Sequence, residues 1–221
     1  MTTRKYLKKV GGFTLVELLI VIAILAIIAL IVIAAINPIE QANRAKDTGN
    51  KADSSQLISA IDRYFTARIK YPWVVQDDSF ANDDFFGFVT AADGLVGICA
   101  WDSAGPTTDC EGDDGDGVLI TTSELKTEFR NRDFIDVFVE DGTLFGPDHI
   151  MIGKADQSDS TYACYMPASN SNRDRACEEE MGYTLDASGN RTAITSDVCS
   201  ADGYIWDTGA IGTNFYVCVP E

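Results

Sequence analysis

The sequence predicts an α+β fold in which a long N-terminal helix, kinked at a proline, packs on a C-terminal antiparallel β-sheet domain with disulfide-bounded loops. Three patterns carry this prediction: an uninterrupted apolar run near the N-terminus, an amphipathic segment behind it, and short apolar or aromatic runs separated by turn residues. The chain has 221 residues, of which 46% are hydrophobic. That length suits one sizeable domain plus a membrane segment better than two globular domains.

The apolar run extends over residues 18–36, nineteen positions without a charged or strongly polar side chain. As a helix that rises about 1.5 Å per residue, it is long enough to cross a hydrocarbon core of about 30 Å. Four basic residues precede it, at positions 4, 5, 8 and 9. Because basic flanks stay in the cytoplasm, we expect a single-pass protein of the cell membrane whose N-terminus is cytoplasmic and whose remainder lies outside.

The segment behind Asn37 and Pro38 has the periodicity of an amphipathic helix. Its apolar residues recur mainly at spacings of three and four between Ile39 and Phe65, with charged residues between them. Proline inside a helix removes a backbone hydrogen bond and clashes with the preceding turn, so a kink or local melting of the helix is expected at Pro38. The helix should end before Pro72 and place its apolar stripe under a sheet.

The second part of the chain has the pattern of an antiparallel sheet. Short apolar or aromatic runs alternate with Gly, Asp, Asn and Ser, which favour turns. The predicted strands lie at residues 97–101, 118–120, 134–139, 149–152, 162–165 and 215–219. Ser123 is predicted to cap a short helix over residues 123–130.

The cysteines indicate an oxidising, extracytoplasmic compartment, because their number is even and all lie beyond the apolar run. They are Cys99, Cys110, Cys164, Cys177, Cys199 and Cys218. Reduced thiols or zinc ligands are the alternative, but no C-x-x-C pair occurs and His149 is the one imidazole. Among the fifteen pairings that six cysteines allow, we favour neighbours in sequence, since each bond would close one short surface loop.

The charge balance disfavours nucleic acid as a direct partner. Seventeen basic residues stand against 34 acidic ones, a formal net charge of −17, which repels a phosphate backbone.

The acidic stretch 109–117 supplies hard oxygen ligands on a flexible turn, and Asp113, Asp114 and Asp116 are candidate Ca²⁺ ligands. The spacing is not that of an EF-hand, and a solvated acidic loop is the alternative that we favour. No other cofactor is expected.

The residue types of a catalytic site are scarce. The chain has one histidine, His149, and no G-x-S-x-G, phosphate-loop or H-E-x-x-H motif. We therefore expect no enzymatic activity and a structural or surface role for His149. Trp73, Trp101 and Trp206 are candidates for an adhesive surface, but aromatic residues of a sheet more often lie in the core.

The junction between the basic and apolar segments reads V-G-G-F-T-L-V-E over residues 10–17. An ordinary secretory signal is cut after its apolar region, and residues 33–35 (I-A-A) form only a poor version of that site. A cut between Gly12 and Phe13 would instead create an α-ammonium group four residues before Glu17. The two charges could then neutralise each other within or between packed helices, where a lone carboxylate is costly.

This junction, followed by L-L-I-V-I, resembles the class III signal of type IV pilins and type II secretion pseudopilins. The resemblance implies that prepilin peptidase cuts after Gly12 and N-methylates Phe13, and that Glu17 pairs with the N-terminus of a neighbouring subunit. The break at Pro38 and a C-terminal loop closed by Cys199 and Cys218 are also similar to pilins. The expected segments are a basic leader (1–12), a membrane and assembly half-helix (13–36), an amphipathic half-helix (37–71) and a globular domain (72–221).

The resemblance implies a structural subunit of a type IV pilus that serves adhesion, motility or uptake. Its partners would be identical or related pilins, prepilin peptidase, and an inner-membrane assembly platform with its motor. The subunit would reside in the membrane before assembly and in an extracellular pilus afterwards. Two alternatives stay open: a pseudopilin of a type II secretion system, and a single-pass anchored extracytoplasmic binding protein.

Overall fold

A computed structural model describes residues 12–35, 37–76, 86–100, 115–135, 149–154, 159–186, 190–195 and 215–220. The chain divides into two compact units, Met1–Gln41 and Ala42–Glu221. The helices are α1 (Leu15–Ala35), α2 (Pro38–Arg68), α3 (Pro72–Gln76), α4 (Val118–Thr121) and α5 (Asn170–Glu178), with 3₁₀ turns at Gly94–Val96 and Thr127–Asn131. The strands are β1 (Phe86–Thr90), β2 (Ile150–Lys154), β3 (Tyr162–Tyr165), β4 (Gly182–Leu185), β5 (Arg191–Ala193) and β6 (Tyr216–Val219).

The N-terminal helical region is interrupted at the predicted proline. α1 ends at Ala35 and α2 begins at Pro38, whose missing N–H costs nothing at a first helical position. Asn37 caps the new helix, because its Oδ1 accepts a hydrogen bond from the Glu40 backbone N–H at 3.3 Å. Pro38 therefore starts a second helix instead of bending a continuous one.

The helix α2 ends at Arg68, just before the expected boundary at Pro72. Ile69 follows it with a φ of 57°, a left-handed conformation that is strained for a β-branched residue. Pro72 then opens the short helix α3, where it again occupies a first helical position. The sequence signal for the end of α2 was correct within a few residues, although Pro72 also starts a helix that the periodicity did not indicate.

Within the described residues, the sheet has six antiparallel strands in the order β1-β2-β3-β6-β4-β5. The strands predicted at 149–152, 162–165 and 215–219 are confirmed as β2, β3 and β6. β1, β4 and β5 were not predicted, because their sequences contain glycine, threonine and arginine in place of continuous apolar runs.

Three other predicted strands are not strands where the structure describes them. Residues 118–120 are in helix α4, and residues 97–100 contribute a single bridge between Cys99 and Asp116. Phe134 and Ile135 lie in a turn, and residues 136–139 are outside the described part of the chain. Short apolar runs of this kind do not distinguish a buried strand from a buried helical turn.

Ser123 does not cap a helix, which corrects the prediction for residues 123–130. Its φ is 65°, in the left-handed region, whereas a helix cap has extended backbone dihedral angles. The 3₁₀ turn Thr127–Asn131 begins after Lys126, and no side chain caps it.

The two faces of the sheet carry separate apolar clusters. Alternate residues such as Ile150, Ile152 and Val217 point to one face, where they join Leu57 and Ile61 of α2 in the main core. Residues between them form the second cluster, on the opposite face: Phe88, Met151, Cys164, Met166, Leu185, Tyr216 and Cys218. The predicted packing of the apolar stripe of α2 under the sheet is thus confirmed.

The disulfide of the second cluster joins Cys164 of β3 to Cys218 of β6. These cysteines are directly opposed in the antiparallel pairing of the two strands. The predicted bonds of Cys164 with Cys177 and of Cys199 with Cys218 are therefore wrong. Sequence neighbours looked favourable because their loops are short, but strand order decides which cysteines meet.

The remaining cysteines are only partly covered by the described residues. Cys99 and Cys177 are also disulfide-bonded, and no described cysteine is free. Cys110 and Cys199 lie outside the described residues, so the predicted pairing of Cys99 with Cys110 stays a prediction.

A buried carboxylate ties the N-terminal half of α2 to the start of α5. Asp47 is 2% exposed. It accepts hydrogen bonds from the backbone N–H groups of Ala168 (2.6 Å) and Ser169 (3.1 Å), from the Ser169 hydroxyl (2.6 Å) and from Asn172 Nδ2 (2.7 Å). We call this set the Asp47 clamp. Ser169 is also the N-cap of α5, so the carboxylate lies where the helix dipole favours negative charge.

We predict that Asp47→Ala lowers the free energy of unfolding by about 3 kcal/mol, because several buried donors lose a charged acceptor. The matched control is Asp62→Ala, the same change at an exposed position of α2, which should cost no more than about 0.5 kcal/mol. Denaturant unfolding of the detergent-solubilised protein, with its disulfides intact, measures both. Equal losses in the two variants would contradict a special role for the clamp.

Candidate functional site

The start of α1 is organised by Thr14 and Glu17. The Thr14 backbone N–H and its hydroxyl both donate to Glu17 Oε2 at 2.8 Å, and the Glu17 N–H donates to Thr14 Oγ1 at 3.3 Å. This reciprocal arrangement is a capping box, in which each side chain satisfies a backbone donor of the first turn. Both hydrogen bonds from Thr14 go to the same oxygen of the Glu17 carboxylate, so this carboxylate can accept further hydrogen bonds.

The sequence reasoning singled out Glu17 for its charge and its place in the junction, but it gave Thr14 no role. The signal was present as T-x-x-E directly before an apolar run, the pattern of a capping box. Thr14 thus joins Gly12, Phe13 and Glu17 in the candidate site.

The bond between Gly12 and Phe13 lies outside the helix, in residues with no regular structure. Phe13 is 85% exposed, and a Cβ built on Gly12 meets no atom within 4 Å. Packing against the described residues therefore does not require glycine at position 12.

The helix α1 has the length and composition of a membrane span over Leu15–Ile33. None of that stretch is buried within the described part of the chain. Length and composition do not distinguish a membrane anchor from a signal sequence, since both are apolar and lie near an N-terminus. The surface of α1 nevertheless needs lipid or other apolar helices around it, because so large an apolar patch is rarely left in water.

Residues 7–33 match the family model described as the prokaryotic N-terminal methylation motif. No curated protein and no solved structure matches the chain significantly. The motif is the hallmark of prepilin-type signals, so the chain carries the N-terminal signal of the type IV pilin and pseudopilin class. The apolar N-terminal helix, the antiparallel sheet and the Cys164–Cys218 disulfide are consistent with the α+β pilin fold. That class of protein is structural rather than enzymatic.

The candidate Ca²⁺ ligands are only partly described. Asp113 and Asp114 lie outside the described residues. Asp116 forms an ion pair with Arg130, with 3.0 Å between Oδ1 and Nη1, which already compensates its charge. Across the part of the chain that the structure describes, no group of three His, Cys, Asp or Glu side chains is arranged to hold a metal ion. The calcium site stays a prediction that rests on sequence alone.

The other singled-out residues that are described lie in the interior. His149 and Trp73 are both buried, so neither is part of an adhesive surface, and Trp101 and Trp206 lie outside the described residues. A cavity of about 780 Å³ lies between α2 and residues 124–132. Its lining carries side chains of both charges. Two of them, Arg63 and Glu124, already form an ion pair with 3.0 Å between Nε and Oε2.

We predict that Thr14→Val weakens the first turn of α1, since valine keeps the shape of threonine but removes the hydroxyl. Loss of an N-cap side chain costs about 1 kcal/mol, which corresponds to about fivefold faster hydrogen exchange at the Glu17 amide. NMR of the protein in detergent micelles measures that rate. Thr14→Ser retains the hydroxyl and should exchange as the unchanged protein does. An unaltered rate in Thr14→Val would show that the capping box does not hold this turn.

Proposed function

We propose that the protein is a filament subunit of a type IV pilus, made as a precursor and processed between Gly12 and Phe13. The observation that carries this proposal is the methylation motif at residues 7–33, placed at the head of an exposed apolar helix. We further propose that residues 13–36 form the membrane and assembly segment, 37–71 the amphipathic segment, and 72–221 the globular domain.

The chemistry of the junction explains why processing and assembly would be linked. Cleavage leaves an α-ammonium group on Phe13, close to the Glu17 carboxylate, whose spare acceptor capacity allows a further bond. Between packed apolar helices such a pair is tolerated, whereas an unpaired carboxylate is strongly disfavoured. A second copy that supplies the ammonium group would therefore be a more favourable neighbour for the Glu17 carboxylate than lipid.

A type II secretion pseudopilin has the same N-terminal signal and is the second candidate. The 209 residues that remain after a 12-residue leader, together with the six cysteines, favour a pilus subunit over a minimal pseudopilin. Intact mass and N-terminal sequencing of material sheared from the surface of the native host separate the candidates. N-methylated Phe13 in sheared filaments supports the pilus subunit, and processed protein confined to the periplasm supports the pseudopilin. An intact Met1 would favour the anchored binding protein.

We predict that Gly12→Ala abolishes processing and leaves the protein at precursor mass. Because an added Cβ at Gly12 meets no atom of the described residues within 4 Å, this loss would report recognition by the peptidase and not a folding defect. The matched control is Gly49→Ala, since a Cβ at Gly49 also meets nothing within 4 Å. Mass spectrometry of membrane fractions measures both. Processing of Gly12→Ala at the normal rate would rule out the proposed cleavage site.

We predict that Glu17→Ala is processed normally but yields less than about a tenth of the filaments, because the Phe13 ammonium loses its partner in an apolar interface. Sheared-filament yield per processed subunit is the measurement. The control is Glu40→Ala, which removes a carboxylate at the start of α2 and should leave the yield within about twofold. Normal filaments from Glu17→Ala would contradict the charge-pairing argument.

A further inference from the structure

The turn that follows α2 is held in an unfavourable backbone conformation. Ile69 has a φ of 57°, and its backbone N–H donates to the Phe65 carbonyl oxygen at 2.6 Å, which closes the end of the helix. Glycine is the usual residue at such a position, because the left-handed conformation crowds a side chain, and a β-branched one most of all. Two other non-glycine residues in the described part of the chain have a positive φ, Ser123 and Glu180, and neither is β-branched.

The side chain of Ile69 is not buried among the described residues. It is 72% exposed, whereas the apolar residues of α2 that face the sheet are buried. Within the described residues of the globular unit (42–221), it is the one large apolar side chain that is exposed. Both its backbone conformation and its exposure are unfavourable in a single subunit, so burial in the described core does not explain an isoleucine at this position.

Aromatic rings before and after the turn fix its position. The ring of Tyr71 stacks on Phe65 and on Trp73, with 4.4 Å between ring centroids in each pair. Trp73 is fully buried, so the stack anchors the turn to the main core. Backbone strain persists where the surrounding structure over-determines the conformation in this way. Ile69 is thus held towards solvent on a rigid base.

We propose that Ile69 is an assembly contact that packs against the globular domain of a second copy of this chain. The inference rests on the proposed filament, in which identical subunits lie side by side. Such a contact would remove from water the apolar surface that a single subunit leaves exposed. Association between subunits, and not folding of one subunit, would then offset the strain at position 69.

The residues beside Ile69 indicate an acidic partner. Arg68 and Lys70 are exposed, and neither forms an ion pair with a described carboxylate. Arg68 lies over the ring of Tyr64, with 5.2 Å between Cζ and the ring centroid, and keeps its charge towards solvent. Residues 72–221 contain 7 basic and 29 acidic residues, a net charge of −22. Because complementary charges select and orient partners, an apolar residue between two cations suits the acidic domain of another copy.

The test is Ile69→Gly in the full chain, expressed in the native host. Glycine removes the side chain and also the strain, because it adopts the left-handed conformation without a steric penalty. We expect the thermal midpoint of the detergent-solubilised protein to stay unchanged or to rise by up to about 3 °C. Sheared filaments per processed subunit should fall about tenfold, the effect of losing one buried isoleucine from an interface. This combination separates a contact between subunits from a role in the fold.

The matched control is Ser123→Gly. Ser123 is exposed and has a φ of 65°, so glycine makes the same backbone change there without removing apolar surface. Its filament yield should stay within about twofold of wild type. If this control lost filaments as severely as Ile69→Gly, the backbone change would explain the loss and the proposed contact would be wrong.

Two further variants test the chemistry of the side chain. Ile69→Leu keeps an apolar side chain and should assemble within about twofold of wild type. Ile69→Asn introduces a polar residue that tolerates the left-handed conformation, and it should lose filaments as Ile69→Gly does. Normal assembly of Ile69→Asn would contradict an apolar contact.

Other results also overturn the inference. A normal filament yield from Ile69→Gly, with wild-type filaments formed, removes the contact and leaves the proposed function intact. A thermal midpoint of Ile69→Gly lowered by more than about 5 °C would assign the side chain to the packing of its own subunit. Normal assembly combined with weaker binding of Ile69→Gly to vesicles of anionic phospholipid assigns residues 68–70 to the membrane. Wild-type protein that is neither processed nor assembled rules out the proposed function, and the inference falls with it.

Discussion

The globular unit depends on how α2 is held, and the Asp47 clamp is the interaction that fixes its N-terminal half. Further along the helix, Leu57, Ala60, Ile61 and Tyr64 are buried against the sheet by ordinary apolar packing. Near Asp47 the buried face of α2 is polar, so hydrophobic burial does not hold it there. Here the Asp47 carboxylate, which accepts hydrogen bonds from several donors at once, replaces apolar contact. Because leaving those buried donors unpaired is costly, the clamp makes the position of α2 specific.

This polar end of α2 continues at Asp53, which is almost fully buried. Burial raises the pKa of Asp53, and the nearby Arg132 guanidinium opposes that effect. A folded-state pKa above the unfolded value means that this group stabilises the fold most at low pH, and that the contribution is lost as the pH rises through the folded pKa. The ion pair with Arg132 therefore offsets a cost that burial imposes at neutral pH. Buried ionic groups of this kind can fix a single packing arrangement, because an alternative register would leave them without partners.

The sequence predicted α1 and α2 well because their signals are local. The proline break, the amphipathic stripe and the apolar run follow from spacing within a few turns, and each needs no knowledge of the rest of the chain. The capping box of Thr14 and Glu17 belongs to the same group, since its partners are three residues apart and the T-x-x-E pattern was available.

The errors arose where the outcome depends on residues far apart in the chain. Cys164 meets Cys218 because β3 and β6 are neighbours in the sheet, although 54 residues separate them in sequence. The partners of Asp47 lie more than 120 residues away, and no periodicity indicates a polar contact at that separation. Residues 118–120 have strand-forming composition, but their neighbours place them in a helical turn. Local propensity is overridden where tertiary packing is stronger, as it is in the core of this domain.

In the proposed filament, α1 would supply part of the specificity of assembly. Apolar side chains along α1 gain little from leaving lipid for a bundle of like helices, because both surroundings are equally apolar. Their association therefore requires polar pairing, and in α1 the only acidic or basic residue is Glu17.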